Sequence, residues 1–309
     1  MCGLFGFLNY GGSMPDKAGM INSLATESAI RGTDATGISY NRNSRLHIFK
    51  KNKSAYALTL KVPEDAVAVM GHTRHTTQGN ERNNQNNHPF FGKTKGGCFS
   101  FAHNGILMND DYLKRIHHLP KTKIETDSYV AVQLIEQEEH LNMKTLKKMA
   151  EAVEGSFSFS VLDDRDNLYL IKGDSPLAIL HFPKLKVYVY ASTEEILWRA
   201  ITETPLFQAL QTGAYEKVVL NPGTILKISG DGSVSSEKFD YSGYSYAPSW
   251  RDYHYGYLSY PETEDTYLND LKAMANSFGY SADEIQELHD EGFSYDEIED
   301  FFYEMSYGG

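Results

Sequence analysis

Apolar and polar positions alternate with two different periods along this chain. Residues 2–9 form a short apolar run that leads to Gly11-Gly12, the pattern of a buried strand ending in a turn. Pro15 is placed for the first turn of a helix, and Met20, Leu24 and residues 25–30 recur at helical spacing until Gly32 stops them. Residues 38–41 and 46–50 predict strands joined by the polar turn Arg42-Asn43-Ser44. Residues 67–71 read as a buried strand running into the polar segment 72–87. Residues 98–102 read as another, ending at His103-Asn104-Gly105. Helical spacing follows at 111–117, 127–138 and 144–153, and then strands at 157–163, 168–172, 177–182 and 187–191. Ser192-Thr193-Glu194-Glu195 has the form of a capping box opening a helix to about Ile201. Residues 218–220 and 225–229 flank Asn221-Pro222-Gly223 and predict a last hairpin, with Gly230-Asp231-Gly232 after it.

Strands joined by hairpins, with two helical groups set apart in sequence, indicate an α+β domain rather than βαβ units, here over residues 1–239. Two antiparallel sheets with helices outside each would use these elements. From Asp240 the composition turns to tyrosine, serine, glycine and proline, which predicts an extended linker over 240–265. A short repeat lies beyond it, Tyr280-Ser281-Ala282-Asp283-Glu284-Ile285 and Phe293-Ser294-Tyr295-Asp296-Glu297-Ile298. Each copy has an N-cap serine, a Glu three residues later and an aromatic–Ile staple, so residues 266–309 predict a helical hairpin with Gly292 between its arms.

Charge sharpens that division. Residues 262–309 hold 14 of the 41 acidic residues and one of the 29 Lys and Arg, whereas the preceding 27 acids and 28 bases nearly cancel. An acidic tail argues against nucleic acid as a partner, which requires the opposite sign. It suits a solvated helix pair or a basic partner surface equally. Two cysteines give no disulfide framework. No apolar run approaches the roughly 18 residues that span a membrane, and the N-terminus lacks the basic region of a signal peptide. A cytosolic protein without a membrane partner is the expectation.

The chemistry concentrates at the N-terminus. Aminopeptidases trim Met before a small side chain, which would leave Cys2 with a thiol and an α-amine on one residue. Such an amine has a pKa of about 7.7–8.0 and can act as the thiol's own general base. By itself Cys2 could equally be a small buried residue at the start of a strand. Four more polar segments stand at the ends of apolar ones: Arg31-Gly32-Thr33-Asp34, Gly71-His72-Thr73-Arg74-His75-Thr76-Thr77-Gln78-Gly79, His103-Asn104-Gly105 and Glu125-Thr126-Asp127-Ser128. Asn86-Asn87-His88-Pro89 lies between them. Taken singly, Arg74 could be an ion-pair partner, Asp127 a helix cap and Asn104-Gly105 a turn. His72, His75, His88 and His103 with Cys98 lack zinc-ligand spacing, so no metal is expected, and Cys98 reads as buried packing. Gly3-x-x-Gly6 and Gly11-Gly12 make no phosphate loop, because no Lys-Ser/Thr follows.

Together these segments resemble the glutaminase domain of class II glutamine amidotransferases, which are N-terminal-nucleophile hydrolases. Cys-Gly-Leu-Phe-Gly, Arg-Gly-x-Asp, Gly-His-Thr-Arg, His-Asn-Gly and Thr-Asp-Ser occur in that family's order. Gly155-Ser156-Phe157-Ser158 and Ala191-Ser192-Thr193-Glu194 resemble its later strands. The resemblance implies a four-layer αββα sandwich and assigns roles. Cys2 is the nucleophile, and Asn104 and the Gly105 N–H form the oxyanion hole. Arg74, Thr77, His88 and Asp127 bind substrate, with Arg74 on the α-carboxylate and Asp127 on the α-ammonium. Glutamine is the implied substrate, with no cofactor. Residues 240–309 are too few for a sugar isomerase, a phosphoribosyltransferase or an ATP-dependent ligase, so the ammonia acceptor would lie on a separate synthase chain. Alternatives are a stand-alone amidase of another γ-glutamyl amide and a non-catalytic interaction module. Tyr129 after Asp-Ser, Thr76 in place of a smaller residue, and Lys172-Gly173-Asp174-Ser175-Pro176-Leu177 without the common arginine depart from the family pattern.

Overall fold

The computed structural model describes residues 2–11, 14–241, 268, 271–272, 275, 280–293 and 298. The chain divides into two compact units, Met1–Tyr241 and Ser242–Gly309. The described strands of the first unit are β1 (Gly3–Asn9), β2 (Ala35–Arg42), β3 (Arg45–Lys51), β4 (Ala68–Arg74), β5 (Phe90–Thr94), β6 (Gly97–Leu107), β7 (Gly155–Asp163), β8 (Leu168–Lys172), β9 (Ala178–Phe182), β10 (Val187–Ala191), β11 (Glu216–Lys217), β12 (Thr224–Ile228) and β13 (Val234–Lys238). Its helices are α1 (Lys17–Ser28), α2 (Asp110–Ile116), α3 (Tyr129–Glu136), α4 (Met143–Ala152), α5 (Glu194–Thr202) and α6 (Phe207–Gln211). One sheet runs β11-β9-β10-β1-β4-β2-β3 and the other β13-β12-β8-β7-β6-β5.

Residue alternation explains how these sheets stack. In β1, Leu4 and Leu8 point to one face and Gly3, Phe5 and Phe7 to the other. Leu4 and Leu8 join Met70, Ala102, Leu162, Leu170 and Tyr190 in a core between the sheets. On the opposite face a Cβ at Gly3 would collide with the Thr73 hydroxyl and press on Ser28, the last residue of α1, so that face lies against the helix. Helices α1 and α5 pack on each other over the first sheet. On the outside of the second sheet, Val130, Ile135, Leu146 and Met149 of α3 and α4 cover Phe101, Phe157, Phe159 and Val161. Each such side chain contributes roughly 1.5–3 kcal/mol by leaving water. The result is the expected four-layer αββα sandwich.

Several local expectations change. Strand β4 continues through His72 and Thr73 to Arg74, paired to both β1 and β2. Strand β6 does not turn at His103-Asn104-Gly105. It stays in register with β7 as far as Leu107 opposite Gly155, because β7 supplies ladder partners all along it. Gly105 has φ +129°, and a Cβ there would lie 2.1 Å from the Ser156 carbonyl oxygen, so only glycine fits. The last hairpin is β12–β13, with β12 also paired to β8, while Val218 hydrogen-bonds to Ile179 at the edge of the other sheet. Helix α1 begins after Asp16, whose carboxylate caps the Gly19 N–H, so Pro15 precedes the helix instead of opening it. Cys98 is only half-buried, at the start of β6.

The start of α5 is the most informative correction. Thr193 is the cap, accepting from the Ile196 N–H, and no Ser192–Glu195 capping box forms. Ser192 is instead directed at the first strand: its hydroxyl accepts from the Leu4 N–H at 2.8 Å, and its own N–H donates to the Leu4 carbonyl. In the second unit, α7 (Ala282–Asp290) has the capping box foreseen for it, with Ser281 and Glu284 exchanging hydrogen bonds. The second arm of the hairpin, beyond Phe293, and the linker from Ser242 to 265 lie outside the described residues apart from Ile298. Tyr241 belongs to the first unit, edge-on to Phe157 at 5.3 Å. No described helix is long and apolar enough to cross a membrane.

Replacing Ser192 by Ala should cost about 1–3 kcal/mol of unfolding free energy, because a buried Leu4 N–H loses its acceptor. Glu195→Gln should cost under about 0.5 kcal/mol, as a surface change outside any cap. Urea titrations of the two variants check this, and equal losses would restore the capping box.

Candidate active site

Three strand ends meet at one end of the sandwich. Cys2 leads into β1, Arg74 ends β4, and Asn104 lies in β6 on the same face as Ala102, which belongs to the inter-sheet core. Arg31 joins two of them. It follows α1 in a single turn of 3-10 helix and is 1% exposed. Its Nε donates to the Cys2 carbonyl at 2.8 Å and its Nη2 to Asn104 Oδ1 at 3.4 Å. The carbonyl end of the Asn104 amide is thereby turned to Arg31. Its Nδ2 is fully buried and has no hydrogen-bond acceptor among the described residues. An oriented donor with nothing to bind is costly in a folded interior and points to a ligand atom.

The Cys2 thiol donates to the His75 carbonyl at 3.5 Å. Burial pushes its pKa up, against that hydrogen bond and the nearby positive charges of Arg74 and Arg31. The resting side chain is therefore a neutral thiol that needs a base to become a nucleophile.

Arg74 is 3% exposed and has its two ends spoken for. Nη1 donates to Asn87 Oδ1 at 2.6 Å and Nη2 to the Gln78 carbonyl at 2.6 Å. Burial lowers its pKa, while Cys2, Asp34, Glu81 and Asp127 favour the charged form. Gln78 reaches across to the Asp127 N–H at 3.2 Å. Asp127 is 4% exposed; its Oδ2 accepts from the Leu107 N–H at 2.6 Å and its Oδ1 from the Ser128 hydroxyl. Glu125 holds the same loop from below through the Asn86 amide at 2.8 Å, and Asn86 Oδ1 accepts from the Glu125 N–H at 3.0 Å. Arg74 and Asp127 thus face one segment, 78–87, from opposite sides.

The other expected site residues divide. Gly105 sits beside Asn104 with the strained φ already described. His88 is buried with its ring 4.2 Å from His72 and 4.3 Å from Phe90, and neither nitrogen has a partner among the described residues. Burial drives its pKa well below the ordinary histidine value, with His72 and Arg74 adding to this. His72 Nε2 donates to the His103 carbonyl at 3.0 Å, and burial brings that ring down to about 3. His103 pairs Nδ1 with Ser128 Oγ at 2.8 Å. These rings are neutral packing elements beneath the site. Among the described residues no group of three His, Cys, Asp or Glu side chains could hold a metal ion. Thr77 is exposed and makes no side-chain hydrogen bond among the described residues, whereas the neighbouring Thr76 N–H donates to Asp34 Oδ2 at 2.7 Å. Arg31, Asn87 and Gln78 carry much of this geometry without having been assigned roles from sequence. Their signal was position alone: each is a polar residue within a segment flanking an apolar strand.

Residues 72–199 match a family model described as a glutamine amidotransferase domain. The glutamine–fructose-6-phosphate aminotransferase (isomerizing) of Listeria innocua is 32% identical over 190 residues, covering 58% of this chain and 30% of that protein. The enzyme of the same name from Staphylococcus aureus is 31% identical over 189 residues, with the same coverage. This chain therefore spans less than a third of the length of the curated relatives it matches. The solved glutamine phosphoribosylpyrophosphate amidotransferase of B. subtilis superposes with a TM-score of 0.62 at 20% identity, covering 88% of this chain and 56% of that one. A structure described as the allosteric regulatory enzyme of purine biosynthesis gives 0.60 at 21% identity, covering 77% and 49%. The matched segment contains Arg74, Asn104 and Asp127, and the chain carries a glutamine amidotransferase domain homologous to those of class II, N-terminal-nucleophile enzymes.

Proposed function

We propose that this protein hydrolyses L-glutamine to glutamate and ammonia through a thioester on Cys2. The observation that carries the reading is the Asn104 amide, with its oxygen fixed by Arg31 and its buried Nδ2 left without an acceptor. With Met1 removed, the Cys2 α-amine takes the thiol proton as sulfur attacks the side-chain amide carbon of glutamine. The amide oxygen becomes an oxyanion, which accepts hydrogen bonds from Asn104 Nδ2 and the Gly105 N–H. The protonated amine then delivers its proton to the leaving nitrogen, the C–N bond breaks, and ammonia departs. Water attacks the thioester by the same route, releasing glutamate and restoring the thiol. Arg74 takes the substrate α-carboxylate and Asp127 its α-ammonium, with His88 shaping the floor and Thr77 at the exposed rim. For Arg74 and Asp127 to bind substrate, the hydrogen bonds to Gln78 and Asn87 loosen or share.

Residues 1–239 would form this glutaminase unit, with 240–265 a linker and 266–309 an acidic helical hairpin. The ammonia would serve a synthase on a separate chain. The cytosol, with its supply of glutamine and its reducing thiols, is the matching compartment.

Intact mass should show the loss of Met1, and a glutamine-analogue electrophile should add to Cys2. Activity below pH of about 7.7–8.0 should fall as the amine protonates; a fully active protein retaining Met1 would sink the mechanism. Glutamate release from glutamine is the direct test of function. Asn104→Ala should lower kcat about 10²–10³-fold with a smaller change in KM, whereas Arg74→Lys should chiefly raise KM, because the carboxylate it holds does not react. Loss of turnover alone in both variants would mean the roles are misassigned. Truncation after Pro261 should leave basal glutamate release within about twofold; its abolition would place the tail inside the catalytic unit.

A further inference from the structure

Lys50 is a half-buried cation that the proposed chemistry does not use. It lies in β3, opposite Gly37 of β2. Strand β3 alternates between exposed and half-buried positions, and Lys50 falls on the inward side with Leu46 and Ile48. Gly37 makes room for it. A Cβ there would lie 2.9 Å from the Lys50 Cβ, 2.2 Å from the His88 carbonyl oxygen and 2.8 Å from the Pro89 ring. The lysine stem and the His88-Pro89 segment therefore share the space that a side chain at 37 would occupy.

The ammonium group ends at the Asn87 carbonyl, 2.5 Å away, and lies 5.1 Å from the centre of the Phe90 ring. The Lys50 carbonyl accepts from the Asn84 side-chain amide at 3.0 Å, so both ends of the residue hold the 84–88 segment. No carboxylate among the described residues forms an ion pair with it. Asn87 is fully buried, and its side-chain oxygen is the acceptor for Arg74 Nη1. A charge-assisted hydrogen bond to the Asn87 backbone thus fixes the residue that aims the Arg74 guanidinium.

We propose that Lys50 is a positioning residue for glutamine binding, acting through Asn87 to set the Arg74 guanidinium for the substrate carboxylate. This rests on the glutaminase reading above. Two cations at one end of a buried segment also favour an anion there, so the substrate carboxylate and the Lys50 charge stabilise each other. Burial lowers the Lys50 pKa to about 8, and the Arg74 charge adds to this. The other titratable groups that feel Lys50 are His72 and His88, both neutral, while Asp34, Glu81 and Asp127 act on Arg74. The sign follows. Below pH of about 8 the ammonium is charged and the support is in place; above it the charge and its part of the support are lost.

The test is steady-state glutamate release by wild type, Lys50→Met and Lys50→Arg between pH 6.5 and 9.5. Lys50→Met should raise KM for glutamine about tenfold near pH 7 with kcat within about twofold. Lys50→Arg should restore KM to within about threefold, and it should remove the rise in KM that wild type shows above pH of about 8. The amines of glutamine and of Cys2 titrate in the same range but are unchanged in the arginine variant, so any limb they cause persists there. An unchanged KM in Lys50→Met, or a KM limb of the same size in wild type and Lys50→Arg, overturns the proposal. If Lys50→Met does not fold, the wild-type and arginine profiles decide it. A wild-type protein that releases no glutamate overturns the glutaminase reading itself, and this proposal with it.

Discussion

A single guanidinium holds Cys2 and Asn104 in one frame. Arg31 is almost wholly withdrawn from water and donates both to the carbonyl of Cys2 and to the side-chain oxygen of Asn104. A charge buried to that degree persists only with hydrogen-bond acceptors around it, and here two of those acceptors belong to the proposed nucleophile and oxyanion donor. The consequence is directional. An asparagine amide can present oxygen or nitrogen to a ligand, and a cation on one side decides which. Replace Arg31 by an apolar residue and the amide loses the cation that orients it, while the Cys2 carbonyl loses its donor.

The substrate side has a different construction. Arg74 and Asp127 come from a strand end and a helix start, and their relation is set by the polar segment between them. Gln78 gives its carbonyl to Arg74 and its side chain to the Asp127 N–H. Asn87 takes Arg74, and Asn86 and Glu125 lock the segment to α3's approach. Side-chain amides dominate because each supplies a donor and an acceptor without adding charge. Beneath them His72 and His88 meet as neutral rings tilted against each other, which keeps further positive charge out of a region that already holds two cations. The site therefore resembles a polar lattice laid on an aromatic floor, and its members fail or succeed together.

The sequence was informative where a residue's chemistry and its local pattern coincided. Cys2 at the head of an apolar run, Asn104-Gly105 at the end of another and the alternation in β7 to β10 were all readable. What escaped was decided by partners distant in sequence. His103-Asn104-Gly105 looked like a turn because its stop signals are local, while the reason it continues as strand is the β7 ladder some 50 residues later. Ser192 looked like half of a capping box, since nothing near it in sequence reveals Leu4. Strand β5 went unread although Phe90, Gly92 and Thr94 face inward and Phe91 and Lys93 outward, because five residues beside Pro89 carry little periodicity. Lys50 was read only as the end of a hairpin strand, and the absence of a side chain at Gly37 is what makes room for it on the inward side. Thr77 was placed by its neighbours in a motif, and the fold leaves it at the rim.

The position of β1 also has a meaning for the order in which the protein matures. It is an interior strand, flanked by β4 and by β10, and the Leu4–Ser192 pair spans 188 residues. One edge of β1 stays open until β10 and Ser192 come to it. Contacts that distant form late because their loop must close before it is rewarded. Strand β1 is thus among the last elements to be locked into its sheet: the topology itself delays the burial of the segment that follows Cys2 until residues 188 positions apart have met.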